Sequence, residues 1–349
     1  MLTNIFKQIL LIASGAGLLK LGNISIDGTK IKANASKHKA LSWKYAKQLE
    51  KRLNKEISEL MQKAENTDSE GHEKFNIPDE LARREKRLVE IKRAQEEIKR
   101  RTLERGKIEA EDYNEKLERR AAKKKAGQKR LGPPPKKPSY EPKDIDQVNL
   151  IDGESRIMPK SGSKAFEQAY NAQIAVDKES MLIITNHITQ NANDKQEMRP
   201  TLDGVKETEK LLNEKCQTAS ADAGYFSQTN VQLCEDANII PLIADKRDKH
   251  NTWLDRQIEM IPDNSIETEK GPVMKMKKRL KTDAGKKIYA KRKSTVEPVF
   301  GIIKHAMGFR EFLRRGFKAA QEEWNLAAVA YNIKRLFTLS AKKDVIGIG

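Results

Sequence analysis

A long charged stretch over residues 38–125 divides this chain, and it restricts the possible folds more than any other feature of the sequence. Within the stretch, apolar residues recur at helical spacing, first as Leu49, Leu53, Ile57 and Leu60 and then as Leu81, Leu88, Ile91 and Ile98. The second set fits the a and d positions of heptads. A polar break over residues 66–71 separates the two sets, and Pro78 suits the first turn of a helix. The pattern predicts two long antiparallel helices, a coiled-coil hairpin inserted into a separate core.

The parts of the chain on either side of the hairpin alternate strands with helices. Residues 3–20 predict a helix that ends at Gly22, and residues 23–31 alternate apolar and polar side chains, which is typical of a strand. Further strands are predicted at residues 169–176, 181–188, 218–222 and 239–243, and further helices at residues 194–210, 275–288, 294–305 and 319–339. This order predicts an α/β core, built from residues 1–37 and 151–340, with a mixed sheet flanked by helices and a tail at residues 341–349.

The composition is strongly basic, with a formal net charge of +18. Lys and Arg neutralise phosphates and release counterions, so nucleic acid is the expected partner; a basic protein without a special partner is the alternative. The apolar stretch at residues 9–19 is too short to span a bilayer, and no other segment resembles a membrane span. Cys216 and Cys234 have no metal-ligand spacing, which predicts reduced thiols in a cytoplasmic protein.

A basic, proline-rich stretch follows the charged helices. Residues 121–143 contain eight Lys or Arg and one Glu, and residues 133–135 are consecutive prolines. Proline and like charges both oppose packing, so a flexible linker is predicted over residues 126–150. Two interpretations of this linker stay open, a solvated tether and a segment that contacts DNA phosphates.

Three acidic residues stand where a carboxylate is unusual or well placed for chemistry. Asp27 falls inside a predicted strand, where a charged side chain is costly unless it is paired or binds a metal. Asp222 ends a short strand two residues before Gly224, and Glu297 lies near the start of a predicted helix. Each acid also has a plainer interpretation. Asp27 would form a turn with Gly28, Asp222 would cap a turn, and Glu297 would be favoured by the helix dipole.

Carboxylates on rigid elements suit the chemistry of phosphodiester cleavage. That reaction requires an activated water or 3′-hydroxyl and a stabilised leaving oxygen, and two divalent ions about 4 Å apart provide both. Mg²⁺ is a hard ion that prefers oxygen ligands. The sequence spacing of Asp27, Asp222 and Glu297 does not by itself identify them as such a site.

Five segments of the sequence carry a resemblance to a known family. In chain order they are IDGTKIKANAS at 26–36, QAYNAQ at 168–173, TQNAND at 189–194, ADAGYF at 221–226 and TVEPVFGIIK at 295–304. Together they resemble the DDE transposases of bacterial insertion sequences, which have an RNase H-like fold. The resemblance implies that Asp27, Asp222 and Glu297 are the catalytic residues and the ligands of two Mg²⁺ or Mn²⁺ ions. It also implies cleavage of DNA at the element ends, followed by strand transfer into target DNA.

The family also carries a signature of Tyr, Arg, Glu and Lys around its last acid. Tyr289, Arg292 and Lys304 match this signature, although the interval from Arg292 to the acid is one residue longer than usual. Lys293 is therefore an alternative for the arginine. The resemblance implies that these residues, together with Lys30 in the first segment, bind and orient DNA phosphates.

The resemblance carries expectations about assembly and completeness as well. Chemistry at two element ends implies a homodimer in a synaptic complex, acting on the bacterial nucleoid in the cytoplasm. Related transposases usually have a helical N-terminal domain, and no helix-turn-helix pattern precedes Asp27, so a truncated copy is expected. The alternatives are a relative that acts only as a nuclease and a catalytically inactive DNA-binding remnant.

Overall fold

A computed structural model describes residues 2–67, 77–125, 127, 133–160, 165–245 and 271–346 of the chain. The chain forms two compact units. Residues 1–35 and 155–349 make up the first, here called the sheet unit, and residues 36–154 make up the second, here called the hairpin unit. The hairpin unit is thus inserted into the sheet unit, as the charged stretch predicts.

Eight strands are present in the described residues. They are β1 (Asn23–Lys32), β2 (Ala40–Ser42), β3 (Gln147–Asn149), β4 (Arg156–Pro159), β5 (Phe166–Asp177), β6 (Ile183–Thr189), β7 (Thr218–Ala221) and β8 (Ile240–Ile243). Six of them form one sheet in the order β4–β5–β1–β7–β8, with β6 also paired to β5. Because β1 is antiparallel to β5 and parallel to β7, the sheet is mixed. Strands β2 and β3 pair separately in the hairpin unit.

Eight α-helices accompany these strands in the same parts of the chain. They are α1 (Leu2–Gly15), α2 (Trp43–Thr67), α3 (Ile77–Lys125), α4 (Met198–Leu212), α5 (Gln228–Asp236), α6 (Pro272–Arg279), α7 (Asp283–Gly301) and α8 (Phe317–Ile346). Shorter 3₁₀ turns lie at Lys37–Lys39 and Ala223–Tyr225, and a π-helical turn lies at Ile302–Ala306. The expected fold class, a mixed sheet flanked by helices, is confirmed.

Helices α4 and α7 cover opposite faces of the sheet. Successive side chains of a strand point to opposite faces. Gly204 of α4 packs against Thr185, and the strand register places Thr185 on the same face as Gly28. Arg292 of α7 hydrogen-bonds to Asp27, the residue before Gly28, so α7 lies over the other face.

The first helix ends earlier than expected and packs on the core. α1 stops at Gly15, and Gly17 adopts a positive φ of 66° while Leu18 N donates to Ala13 O at 2.8 Å, a helix-ending turn that suits glycine. One side of the helix is buried, at Phe6, Ile9, Leu10 and Ala13. Across the described residues, no helix combines the length and the apolar character needed to cross a membrane.

Helix α8 contributes the largest buried side chain of the sheet unit. Trp324 is fully buried, stacks on Phe300 and donates from Nε1 to the carbonyl oxygen of Gln173 at 3.3 Å. Burial of a side chain of this size stabilises the fold by roughly 2–3 kcal/mol. Other apolar residues of this helix lie outside the core, since Leu326 and Ile333 are each 52% exposed.

A buried lysine in the β5–β6 turn hydrogen-bonds to both β7 and α7. Lys178 Nζ donates to Ser220 Oγ of β7 at 2.7 Å and to Ile288 O of α7 at 2.8 Å. Burial lowers the pKa of Lys178 to about 8. Asp177 closes the same turn by accepting hydrogen bonds from Ser180 N and Oγ. This arrangement fixes α7 against the sheet.

The boundaries of α6 and α7 differ from the expected helices at residues 275–288 and 294–305. Thr282 interrupts the first of these, because its hydroxyl caps a new helix by accepting a hydrogen bond from Gly285 N at 3.1 Å. From there α7 runs without a break through Ser294 and tolerates Pro298 in its interior. The π-helical turn that follows contains Lys304 and changes the helical register there.

In the hairpin unit, α2 and α3 pair in antiparallel fashion, as expected. Arg84 contacts Glu56, whereas Gln95 contacts Glu50, so residue numbers rise along α3 as they fall along α2. A small apolar core lies between these helices and the β2–β3 pair, made by Leu41, Ala46, Leu53, Ile91, Ala94, Ile98 and Val148. The unit therefore has its own core.

Residues 133–149 differ from the flexible linker that the sequence predicts. Within them, β3 pairs with β2, and Asp146 accepts two hydrogen bonds from Arg105 of α3 at 2.8 and 2.9 Å. Tyr140 packs where Gly106 of α3 leaves space for its ring. These contacts make the stretch part of the hairpin unit, while residues 126 and 128–132 lie outside the described residues.

Candidate active site

Asp27 lies on β1 where the sheet opens on one side. Strand β7 pairs with β1 only as far as Ser25, so β1 continues without that neighbour and leaves a gap, here called the notch. Asp27 Oδ1 accepts a hydrogen bond from Gly28 N at 2.8 Å, and Oδ2 accepts one from Arg292 at 3.3 Å. Both Asp27 and Gly28 are strand residues, so the interpretation of Asp27 as a turn residue is wrong.

Asp222 follows the last residue of β7 and borders the same notch. Its Oδ1 accepts a hydrogen bond from Gly224 N at 2.8 Å and caps the short 3₁₀ turn. The expected capping role is therefore confirmed, but it occupies only one of the two carboxylate oxygens. The other oxygen has no hydrogen-bond donor among the described residues. Asp222 is thus available for a second interaction beside Asp27.

Glu297 reaches the site from α7, on the far side of Arg292. The Arg292 guanidinium places Nη1 against Asp27 and Nη2 at 4.0 Å from Glu297 Oε1. The Arg292 side chain is only 9% exposed, whereas that of Glu297 is 56% exposed. Arg292 therefore bridges a mostly buried carboxylate and an exposed one.

The electrostatics of the site disfavour a charged Asp27. Burial raises the pKa of Asp27 to about 7, and the nearby Asp222 carboxylate adds to the rise. The Arg292 guanidinium and the hydrogen bond from Gly28 act in the opposite direction. Two carboxylates that repel each other in a partly buried space attract a cation.

The residues of the basic signature occupy different positions around these acids. Arg292 lies in the site, while Lys293 is exposed beside it, so the geometry favours Arg292 as the arginine of the signature. The guanidinium of Arg292 also lies 6.0 Å from the ring centre of Tyr289. Lys304 donates to Thr29 Oγ1 and to Lys30 O, which anchors the turn after α7 to β1.

A family model described as a transposase DDE domain matches residues 143–333, more than half of the chain. The chain belongs to the DDE transposases. Comparison with curated proteins and with solved structures found no match. The matched residues include Asp222 and Glu297. Asp27 precedes the matched segment in the chain, but its strand β1 pairs with β5 and β7 of that segment in the sheet. The mixed α/β sheet is consistent with the RNase H-like fold of a DDE domain.

DDE transposases normally use divalent metal ions. The donor set at the notch fits a hard ion, because Asp27 and Asp222 offer carboxylate oxygens and their mutual repulsion is relieved by a cation. Within the described residues, however, no three acidic, histidine or cysteine side chains lie close enough together to hold one ion. The Asp222 carboxylate is near enough to Asp27 to raise its pKa, whereas Arg292 lies between Asp27 and Glu297.

One acidic residue of the site was missed in the sequence. Asp194 belongs to a polar loop before α4, where an acid is usually a helix cap or a solvated side chain. In the DDE domain its Oδ1 instead accepts hydrogen bonds from Asn171 and Gln173 of β5 at 2.7 and 2.8 Å. The available signal was Gly28 opposite Gln173, since a glycine inside a strand indicates the close approach of another group.

Proposed function

We propose that this chain cleaves DNA at the ends of an insertion sequence and transfers the cut strands into target DNA, with divalent metal ions as cofactors. One observation carries the proposal. The carboxylate of Asp222, inside the segment that matches the transposase domain, lies close enough to Asp27 to raise its pKa. The sheet brings Asp27 to this place from outside the matched segment.

The proposed reaction has two steps. In the first, a water oxygen attacks phosphorus at the element end, the bond from phosphorus to the 3′ oxygen breaks, and a 3′-hydroxyl is released. In the second, this hydroxyl attacks a phosphorus of the target and displaces the 3′ oxygen there, so one phosphodiester replaces another. Two divalent ions, when bound, supply activation of the attacking oxygen and stabilisation of the leaving oxygen.

Asp27, Asp222 and Glu297 would hold Mg²⁺ or Mn²⁺ in this proposal. Asp27 and Asp222 offer their oxygens at the notch, and the exposed side chain of Glu297 has room to rotate toward them. Arg292 balances the charge of Asp27 and Glu297 while they are held apart. Its guanidinium lies between the two carboxylates and opposes the rise in the pKa of Asp27.

The basic residues would act on the DNA backbone in two ways. Tyr289 and the exposed Lys293 lie on α7 beside Arg292, a position suited to phosphate contacts. Lys30 and Lys304 are mostly buried and bonded within the chain, so they would contribute positive potential and hold β1 in place. A homodimer that joins two element ends on the bacterial nucleoid is part of the same proposal.

A plasmid that carries this gene with its flanking DNA provides the test. With Mg²⁺ or Mn²⁺, the purified chain should nick the plasmid at the element ends and join precut ends to a second plasmid. Chelation of the metal should abolish both products, because carboxylates alone cannot activate the attacking oxygen. Nicking without joining would identify a nuclease, and DNA binding without products would identify a non-catalytic DNA-binding protein; either result contradicts the proposal.

The pH dependence of cleavage should report the ionisation of Asp27. Its pKa is raised from 3.8 to about 7, so the carboxylate form that binds a cation accumulates as the pH rises through 7. Replacement Arg292→Met removes the guanidinium that opposes this rise and should move the midpoint of the pH–rate profile upward by about one unit. Rates measured from pH 5.5 to 9 with Mn²⁺ would show it. Lys293→Met, an exposed neighbour, should leave the midpoint unchanged, and an equal shift in both variants would contradict the assignment to Arg292.

A further inference from the structure

Asp194 is held at the notch by a network of buried amides. Its Oδ1 accepts hydrogen bonds from Asn171 Nδ2 at 2.7 Å and Gln173 Nε2 at 2.8 Å, and Lys30 Nζ lies at 3.5 Å from the same oxygen. Asn171 and Gln173 are fully buried, and Tyr225 fixes the Gln173 amide by donating its hydroxyl to Oε1. One oxygen of Asp194 is therefore fully occupied by donors.

Gly28 makes this network possible. Gln173 lies directly opposite Gly28 in the β1–β5 pair, and its Nε2 occupies the place where a Cβ on Gly28 would be. Asp194 Oδ1 lies 2.8 Å from the same point. Only glycine at position 28 leaves room for an amide and a carboxylate to cross the strand right beside Asp27.

The loop that carries Asp194 is also fixed from outside the network. Glu197 N donates to Asp194 O at 3.0 Å, and the buried Glu197 carboxylate binds His187 Nε2 at 3.0 Å and Asn191 Nδ2 at 2.8 Å. Asn230 of α5 donates to the Lys195 carbonyl oxygen at 2.8 Å. A loop held at both ends in this way positions its carboxylate with little freedom.

The second oxygen of Asp194 is free and lies near Asp222. Oδ2 is 3.5 Å from the position that a Cβ on Gly224 would take, and Asp222 Oδ1 is 2.9 Å from the same position. Gly224 has no side chain, so the two carboxylates share an open space. Within the part of the chain that the structure describes, Asp194 Oδ2 has no hydrogen-bond donor.

We propose that Asp194 is a positioning residue of the metal site, and this inference rests on the proposed function. Oδ2 would accept a hydrogen bond from water that a divalent ion held by Asp222 retains, since Mg²⁺ and Mn²⁺ keep several waters in protein sites. Because three donors already contact Oδ1, Oδ2 is the oxygen of Asp194 that remains to accept a hydrogen bond from that water. Hydrogen-bonded groups in this outer position commonly change metal affinity 10- to 100-fold.

Mn²⁺ binding to the full chain, measured by electron paramagnetic resonance without DNA, tests the inference. Asp194→Asn keeps an oxygen for the amides and places an NH₂ group where an acceptor is needed. It should weaken Mn²⁺ binding by roughly 10- to 100-fold while the Tm of the metal-free protein stays nearly constant. A residue with only a structural role would lower Tm and leave the affinity of the folded protein unchanged, and that result would overturn the inference.

Three further variants keep the outcome decisive. Asp203→Asn, an exposed acid on α4, should bind Mn²⁺ like the wild type. If Asp222→Asn weakens binding and Asp194→Asn does not, the inference about Asp194 fails and the proposed metal site stands. If neither weakens binding, the proposed site itself fails. Should Asp194→Asn not fold, Gly224→Ala places a methyl group between the two carboxylates; an unchanged affinity there also overturns the inference.

Discussion

Replacing Asp222 by asparagine is expected to lower the rate of DNA strand cleavage by at least about a thousandfold, since a charged ligand of the proposed metal site is lost. The fold should survive, because the asparagine oxygen can still accept the hydrogen bond from Gly224 N that caps the 3₁₀ turn. DNA binding without cleavage should be nearly unchanged, because the substitution removes no basic residue and raises the net charge of the chain only from +18 to about +19.

The same variant should be at least as stable as the wild type in the absence of metal. The Asp222 charge raises the pKa of Asp27, so its removal relieves a repulsion between two partly buried carboxylates at pH 8. A gain of about 1 kcal/mol would raise Tm by roughly 2–4 °C, which calorimetry can measure. The exposed Asp203→Asn variant should change neither cleavage nor Tm. Cleavage that persists in Asp222→Asn would remove the basis for the proposed active site.

The sequence predicted the sheet unit well where a local pattern controls the structure. Alternating side chains identified β1, and the apolar run with its turn identified the β5–β6 pair. The strand β4 was not anticipated, because four residues of mixed character carry too little periodicity to be recognised. Its pairing depends on β5, which supplies the edge that it extends.

Some residues of the candidate site can be predicted from the local sequence, whereas others depend on contacts between distant segments of the chain. Asp27 lies inside a predicted strand and Asp222 ends one, which makes both acids candidates, but only the resemblance implies that they are catalytic residues. The choice between Arg292 and Lys293 depends on which side of α7 faces the sheet, and that follows from Lys178 and from the continuous helix after Thr282. Asp194 depends on side chains from three separate segments that meet only in the folded chain. No local pattern contains that information.

Replacing a glycine of helix α7 by alanine should change the stability of the protein in opposite directions at the two ends of the helix. A Cβ on Gly285 would overlap the carbonyl oxygen of Arg279, which is backbone and cannot move aside cheaply. Gly285→Ala is therefore expected to destabilise the sheet unit by about 2–3 kcal/mol, the upper part of the range for forced overpacking. Calorimetry should show a fall in Tm of roughly 5–10 °C.

Gly301→Ala is the matched control at the other end of the helix. Gly301 has ordinary helical angles, φ −58° and ψ −47°, and an added Cβ would have no neighbour within 4 Å apart from the adjoining residues and the backbone of its own helix. Alanine there should stabilise the protein by about 0.5–1 kcal/mol, because the unfolded chain loses more freedom at glycine than at alanine. Since α7 carries both Arg292 and Glu297, the shift forced at Gly285 should also lower cleavage, although neither acid of the notch is touched. Equal changes of Tm in the two variants would show that the turn between α6 and α7 is not the tight contact described above.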